Sequence, residues 1–444
     1  MNKYFWNTAA GLLNAAEAVI LGMLTTRLAG VEAAGILTIA FSVGNLFSSV
    51  GRWGIWAFQV TDGGAYSFRE YRRARWLTLT LMVLLATGYT LFQAGQQGYS
   101  GEKIAAILLM TGIYAVEIFE ETFWGHYQKH DHIETGAQLF IARWMAIILA
   151  YGVTLFATRR VDDALGAGAV ASVVVLTLLL RITWKPYRGT GDSISAAARA
   201  AAEPAPSFFG RTASGRKAAK ENRQVNAGKP IARRGETEIL RKCFPILVTS
   251  FLELYLINAP KFAVDALMSS EAVAAFGFIS MPVFMIKLFS SFIYNPKLVA
   301  ISLDWRERRM DAYRRRNRKI LGLIAFLTAA AAALAWLAGI PVLELLYAVE
   351  LKEYRVSLTI LILSGGFMAA SAYINYLLIV EGRQKYSVIA YGASALLSLA
   401  LYRFLIPTRG ILGASLGFLA AMGLNALIML ALEIRGVQKF SGHE

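Results

Sequence analysis

LFSSVGRWGIWAFQVTDGGAYSFREYRRAR, residues 46–75, and LFSSFIYNPKLVAISLDWRERRMDAYRRRN, residues 288–317, align without a gap at an offset of 242. Eight of the thirty positions are identical: Leu46-Phe47-Ser48-Ser49 falls on Leu288-Phe289-Ser290-Ser291, Asp62 on Asp304, and Tyr71-Arg72-Arg73 on Tyr313-Arg314-Arg315. The order of events repeats as well: an apolar segment, an aspartate where it ends, then a Tyr-Arg-Arg loop. The offset is about half of the 444 residues. A duplicated architecture shows itself in this way, and a repeat is sought before any fold is assigned. Two homologous halves are expected, each beginning and ending on the same side of a membrane.

Hydrophobic residues make up 56% of the chain and charged residues 17%, against the roughly 25% charged usage of soluble domains. This is the composition of an integral membrane protein. The net charge of +16 sits mostly in loops between apolar segments, so basic cytoplasmic loops explain it better than nucleic-acid binding. The single cysteine, Cys243, excludes an internal disulfide and a multi-cysteine metal site. Neither a metal nor a cofactor is expected. Asn7, Asn14 and Glu17 interrupt the first apolar run and no small-residue cleavage site follows, so it reads as an uncleaved helix.

A bilayer core of about 30 Å needs roughly 20 apolar residues per helix. Twelve such stretches lie near 5–27, 35–57, 76–93, 103–124, 136–157 and 164–181, then 243–260, 272–296, 319–338, 356–380, 388–406 and 411–434. Alternating sides puts about 33 Lys and Arg in the N-terminus, even-numbered loops and C-terminus, against about 8 in the odd-numbered loops. Both termini are therefore expected in the cytoplasm. Six helices per half restore the starting side, so the repeats are parallel, related by an axis along the membrane normal. The expected fold is an all-α polytopic membrane protein, with about 12 helices in two six-helix bundles around a central cavity. The expected domains are a bundle at 1–187, a disordered basic linker at 188–236 and a bundle at 237–444. The linker, rich in Ala, Gly, Ser, Pro and Arg, cannot bury a core; its charge suits solvent or anionic lipid headgroups. Its phosphate-loop look-alike, Gly210 to Lys217, lacks the Lys-Ser/Thr ending and a preceding strand.

Ionisable groups at membrane depth tend to face a bundle interior or a wet cavity. The candidates are Glu17, Arg27, Arg52, Arg143, Glu253, Lys261, Asp265, Lys287 and Arg403. Arg52 and Lys287 both lie on the second helix of their half, close to the repeated Leu-Phe-Ser-Ser. Facing one another across the pseudo-twofold axis, they would form a site for a doubly charged anion such as a pyrophosphate, a guanidinium binding bidentately and an ammonium as a point charge. Separate ion pairs, or side chains turned toward lipid, would defeat that expectation. Arg143, Arg403, Arg27 and Lys261 are further cavity cations. Glu17, Glu253 and Asp265 are candidate coupling carboxylates, since burial raises a carboxyl pKa into a range where it carries a proton. Pairing with a neighbouring cation is the alternative.

His126, His130 and His132 read as a solvated loop rather than a metal site, and Trp6, Trp53, Trp56, Trp76 and Trp124 as interfacial anchors. Pro260, Pro282 and Pro296 permit bends around the seventh and eighth helices. Gly413 and Gly417 make a small-residue packing face. The external segments are short, the longest being Gly339 to Arg355.

Several stretches carry a family resemblance. FQVTD at 58–62 with YSFREY at 66–71, ETFWGHYQ at 121–128 with Arg143 beyond, NAPKFAVD at 258–265, GIPVL at 339–343 before Tyr347, and Gly365-Gly366 before Arg383-Gln384 resemble Wzx-type polysaccharide-biosynthesis flippases. These belong to the multidrug/oligosaccharidyl-lipid/polysaccharide exporter superfamily. The resemblance covers nearly the whole chain except 189–234, and NAPK is its most specific part. It implies two six-helix bundles opening alternately to either side, moving an undecaprenyl-pyrophosphate-linked oligosaccharide from the cytoplasmic to the outer leaflet of a bacterial plasma membrane. Arg52, Arg143, Lys287 and Arg403 would meet the pyrophosphate; Asn45, Tyr255, Asn258, Tyr373, Asn375 and Tyr376 would supply sugar contacts. The partners implied are that lipid-linked substrate and membrane lipids, with no nucleic acid, and a monomer suffices to enclose a cavity. The rival within the superfamily is an ion-coupled exporter of small cations, which predicts a net acidic cavity. A membrane polymerase or ligase would need external catalytic groups, and the short outer loops count against it; no enzyme is expected.

Overall fold

The computed structural model describes residues 3–62, 66–184 and 235–441. The expected linker at 188–236 lies outside the described residues except for its last two positions. Helices α1 (Lys3–Ala29), α2 (Val31–Arg52), short α3 (Ile55–Thr61), α4 (Phe68–Gln97), α5 (Gly101–Lys129), α6 (Ile133–Thr158) and α7 (Val161–Thr183) form the first half. The second half holds α8 (Glu236–Leu267), α9 (Ser270–Tyr294), short α10 (Leu298–Arg306), α11 (Met310–Leu334), α12 (Ile340–Tyr347), α13 (Arg355–Val380) and α14 (Ser387–Ser441). There is no strand among the described residues.

The repeat is a register of helix ends. Helix α2 stops at Arg52 and α9 at Tyr294, α4 starts at Phe68 and α11 at Met310, each pair separated by the offset of 242 found in the sequence. Inside the repeated motif the same turn is tied in the same way. Ser49 Oγ donates to Leu46 O at 2.6 Å, and Ser291 Oγ to Leu288 O at 2.6 Å. A short helix, α3 or α10, follows in both halves. The start of α4 was legible locally: Ser67 and Glu70 form a capping box, which satisfies two of the free amides of the first turn. Packing repeats too, α2 lying against α4 and α5 as α9 lies against α11 and α13, and α1 against α6 as α8 against α14.

Ten stretches among the described residues are long and apolar enough to cross a membrane. Two corrections bring this to the expected twelve. Helix α14 breaks at Gly410, where φ is 55° and ψ −134°, and a Cβ on Gly413 would lie 2.0 Å from Leu405 O. The chain therefore doubles back into an antiparallel hairpin, and Gly413 and Gly417 are its packing face. Helix α5 is not among the ten because Glu117, Glu120 and Glu121 crowd its C-terminal half, yet it packs against α2, α4, α6 and α7. In lipid, such contacts come from close packing and internal hydrogen bonds rather than from excluding water.

The segment Gly339 to Arg355, expected as a loop, is partly helical. Residues Ala335–Gly339 form a π turn that carries the chain past Pro341 into α12, because proline lacks the N–H that an ordinary helical bond would need.

Candidate functional site

In the first bundle the spacing of Glu117, Glu120 and Glu121 puts three carboxylates on one face of α5, and three arginines from three other helices converge on them. Arg52, the last residue of α2, reaches Glu121 Oε1 at 2.7 Å, Glu117 Oε1 at 2.8 Å and Ser48 Oγ at 2.7 Å. Arg143 on α6 is fully buried and reaches Glu120 Oε2 at 2.6 Å, Glu117 Oε2 at 3.1 Å and Ser172 Oγ at 3.3 Å. Trp144 Nε1 adds a bond to Glu117 Oε2 at 2.9 Å. Glu17 on α1 is buried beside this network, and its Oε2 has no hydrogen-bond partner among the described residues.

Arg75 on α4 performs a separate task. The chain leaves α2 through Trp53 in the left-handed region, φ 47°, which orphans carbonyls at the helix end. Arg75 Nη1 donates to Gly51 O at 2.7 Å and Arg52 O at 3.1 Å, and its Nε donates to Thr122 Oγ1 at 3.0 Å. Trp53 N–H closes on Ser49 O at 2.9 Å; the guanidinium, with Thr78 Oγ1 at 2.8 Å from Gly51 O, caps the carbonyls beyond it.

In the second bundle Lys287 on α9 pairs with Glu253 on α8 at 2.7 Å. Arg52 and Lys287 are thus each neutralised inside their own bundle and do not form a bare pair of facing cations. Nor are they symmetry mates: at the repeat offset Arg52 corresponds to Tyr294, and Lys287 to Asn45. The expected two-cation anion site is corrected accordingly.

Arg403 is not directed into the bundle either. It is exposed on the stripe of α14 that carries Leu396 and Leu399, exposed by 70% and 55%, a lipid-facing pattern. Arg27, near the C-terminal end of α1, bridges the bundles, donating to Leu346 O at 3.1 Å and Leu345 O at 2.5 Å. Asp265 accepts from Lys103 Nζ and Tyr99 OH of the opposite bundle.

Lys261 differs from all of these. It lies on α8, 7% exposed, at the seam between the bundles. It has no hydrogen bond or ion pair to any described residue; its nearest aromatic face is Phe284, 5.7 Å from the ring centre. One side opens on a cavity of about 20 Å³ lined from the first bundle by Gly22, Thr38 and Phe41 and from the second by Phe278 and Tyr347, room for about one water. Three residues earlier on α8, Asn258 Nδ2 donates across the seam to Asn45 Oδ1 at 3.2 Å.

Of the expected sugar contacts, Asn45 and Asn258 meet in this way. Tyr373 donates to Asn317 Oδ1 at 2.7 Å and Asn375 accepts from Ser387 Oγ at 2.6 Å, while Tyr376 and Tyr373 flank Tyr294 at 5.6 and 5.4 Å between ring centres. His126 is not solvated but buried, packed against Phe68, His130 and Trp184. The residues sequence reading missed are Glu117, Glu120, Glu121, Arg75 and Lys103. Three carboxylates at i, i+3 and i+4 in a membrane segment are a readable signal; that Lys103 would meet Asp265 across the seam is not.

The two ends of the seam differ. At one end Lys103 and Asp265 are almost covered, their side chains 10% and 4% exposed. Toward the other end Arg52, Lys287 and Glu253 keep 34%, 35% and 27% exposure. The seam is thus closed more tightly at the Lys103–Asp265 end.

No family model matches the sequence, and no curated protein matches it. Solved structures do. An inward-facing multidrug resistance MATE family transporter of the MOP superfamily superposes with a TM-score of 0.66 at 12% identity, over 96% of this chain and 95% of that one. An outward-facing MATE transporter of the same superfamily gives 0.58 at 13% identity, over 98% and 94%. The lipid II flippase MurJ, in an inward closed conformation, gives 0.68 at 12% identity, over 98% of this chain and 89% of that one. At such identities the likeness speaks for the fold alone: this chain has the two-bundle fold of MOP-superfamily transporters.

Proposed function

We propose that this chain is an alternating-access transporter of the bacterial plasma membrane, both termini cytoplasmic, that flips an undecaprenyl-pyrophosphate-linked oligosaccharide to the outer leaflet for polysaccharide biosynthesis. Residues 1–187 and 237–444 are the two moving bundles, and the basic segment 188–236 links them in the sequence.

The observation that carries this reading is Lys261, a buried ammonium without a counter-ion at the seam. An uncompensated buried charge is costly, and a charge kept there is explained by an anionic partner that arrives when the seam opens. Arg52, Arg143 and Lys287 contribute only when a carboxylate beside them is neutralised. That gives Glu253 its role: proton uptake there frees Lys287 for phosphate oxygens, while Glu17, buried beside the arginine network without an ion pair to a described residue, is the proton carrier of the first bundle. Asp265 acts at the outer seal rather than on the substrate.

The test compares Lys261→Met and Lys261→Arg. Delivery of lipid-linked glycan to the outer leaflet falls about tenfold or more in the first and is partly kept in the second. Unchanged delivery by Lys261→Met at normal protein level would sink the reading.

One observation favours the rival reading, export of a small organic cation: Glu17, Glu117, Glu120 and Glu121 outnumber Arg52, Arg75 and Arg143 in the first bundle. In that case everted vesicles would accumulate a lipophilic cation, and Glu17→Gln would abolish the accumulation.

A further inference from the structure

A second apolar site lies on the outside of the first bundle, where α4, α5 and α7 part to leave a groove of about 520 Å³. Trp76, Leu79, Val83 and Leu84 of α4 line one wall, Val116 and Phe119 of α5 the floor, and Val173, Leu176 and Leu180 of α7 the other wall. The hydroxyls of Thr80 and Thr177 are the only side-chain polar groups in the lining apart from the indole of Trp76. From Trp76 to Leu84 the groove runs about 12 Å along α4 at 1.5 Å per residue, close to the depth of one leaflet of a hydrocarbon core about 30 Å thick. All three helices contribute the half nearer their basic, cytoplasmic ends.

The mouth of the groove absorbs the repeated Tyr-Arg-Arg motif. Tyr71 points inward, 1% exposed, and donates to Asp62 Oδ2 at 2.6 Å. Arg69, Arg72 and Arg73 are exposed, and lie seven, four and three residues before Trp76, on the helix face that bears the groove. None of the three has an ion-pair partner among the described residues. The ring of Trp76 packs on Phe119, 5.2 Å between centres, at the interfacial level that tryptophan favours.

We propose that this groove binds one anionic phospholipid of the cytoplasmic leaflet, an acyl chain lying along α4 and the phosphate held by Arg69, Arg72 and Arg73. A zwitterionic lipid fills the groove without occupying the arginines. Each arginine near an anionic headgroup contributes favourably, so the site selects by charge and orients by shape. It is independent of the substrate path between the bundles.

The experiment is native mass spectrometry of the full chain released from nanodiscs containing phosphatidylcholine and phosphatidylglycerol in equal amounts. Wild type retains one phosphatidylglycerol in clear preference to phosphatidylcholine. The triple variant Arg69→Gln, Arg72→Gln, Arg73→Gln and the groove-filling variant Val116→Trp each lose that preference by about tenfold. Preference unchanged in Val116→Trp means charge on the surface alone and overturns the groove; preference unchanged in the arginine variant overturns the headgroup assignment. Val173→Trp, filling the groove from the other wall, replaces Val116→Trp if the latter does not fold. Thermal midpoints in pure phosphatidylcholine identify a variant that is merely unstable.

Discussion

Arg75 shows what a single residue contributes to this fold. Its guanidinium satisfies the carbonyls that α2 loses by turning out at Trp53, and it is wholly buried. Replacing it by Leu leaves Arg52 O without a donor and Gly51 O with Thr78 Oγ1 alone, at 2.8 Å, in a covered site. The expected loss is about 3 kcal/mol, read as a lower unfolding midpoint in detergent with the Arg52–Glu117 pair still present. Glu381, in the turn between α13 and α14, makes a pH prediction. Its side chain is fully covered, accepts from Tyr313 OH at 3.1 Å and lies 3.5 Å from Arg383. Burial first, and the neighbouring Glu433 carboxylate second, push its pKa up to about 8, against the pull of Tyr313 and Arg383. The folded state therefore holds a proton that the unfolded state releases above about pH 4.5, so this residue's contribution to stability falls as pH rises from about 5 to 8. Glu381→Gln removes that slope: the midpoint of the variant relative to wild type rises with pH, and a constant difference across that range would refute the assignment. At this scale the sequence named Lys261 and Arg52 as charges the membrane should have excluded. It was silent on pairing, because counter-ions such as Glu117 come from helices distant in the chain.

Elements were the most legible level. The offset of 242 locates the ends of α2 and α9 and the starts of α4 and α11, since the repeated residues are those that set helix ends, the serine turn and the exit aspartate. What escaped were features set by backbone chemistry within a segment that reads as a loop: the π turn before Pro341 and the helix α12 beyond it. The contact of α2 with α9 supplies a prediction. A Cβ on Gly35 would lie 2.0 Å from Ser270 O, a backbone atom that cannot rotate away, so Gly35→Ala must separate the two helices near their N-terminal ends. In a Cys243→Ser background carrying Thr38→Cys, which lines the seam cavity, Gly35→Ala raises labelling by an impermeant maleimide added from outside several-fold. Labelling equal to that of the glycine parent would show that the contact does not hold the seal.

For the whole molecule, two bundles, twelve crossings and a shared seam followed from composition and the repeat. The direction in which the seam stands open did not, because it depends on which cross-bundle contacts win. Here the contacts at one end do, with Asp265 held by Lys103 and Tyr99, and Arg27 on the carbonyls of α12. If flipping requires this seal to open, locking it must stop transport. The most direct measurement is translocation of a polyprenyl-pyrophosphate-linked oligosaccharide in liposomes holding a Cys243→Ser, Lys103→Cys, Asp265→Cys variant. The account predicts protein-dependent appearance of the glycan in the opposite leaflet under reducing conditions, its loss when the two cysteines are cross-linked, and its return on reduction. Translocation equal to that of protein-free liposomes under reducing conditions, with wild type equally inactive, or undiminished translocation in the cross-linked state, would contradict it.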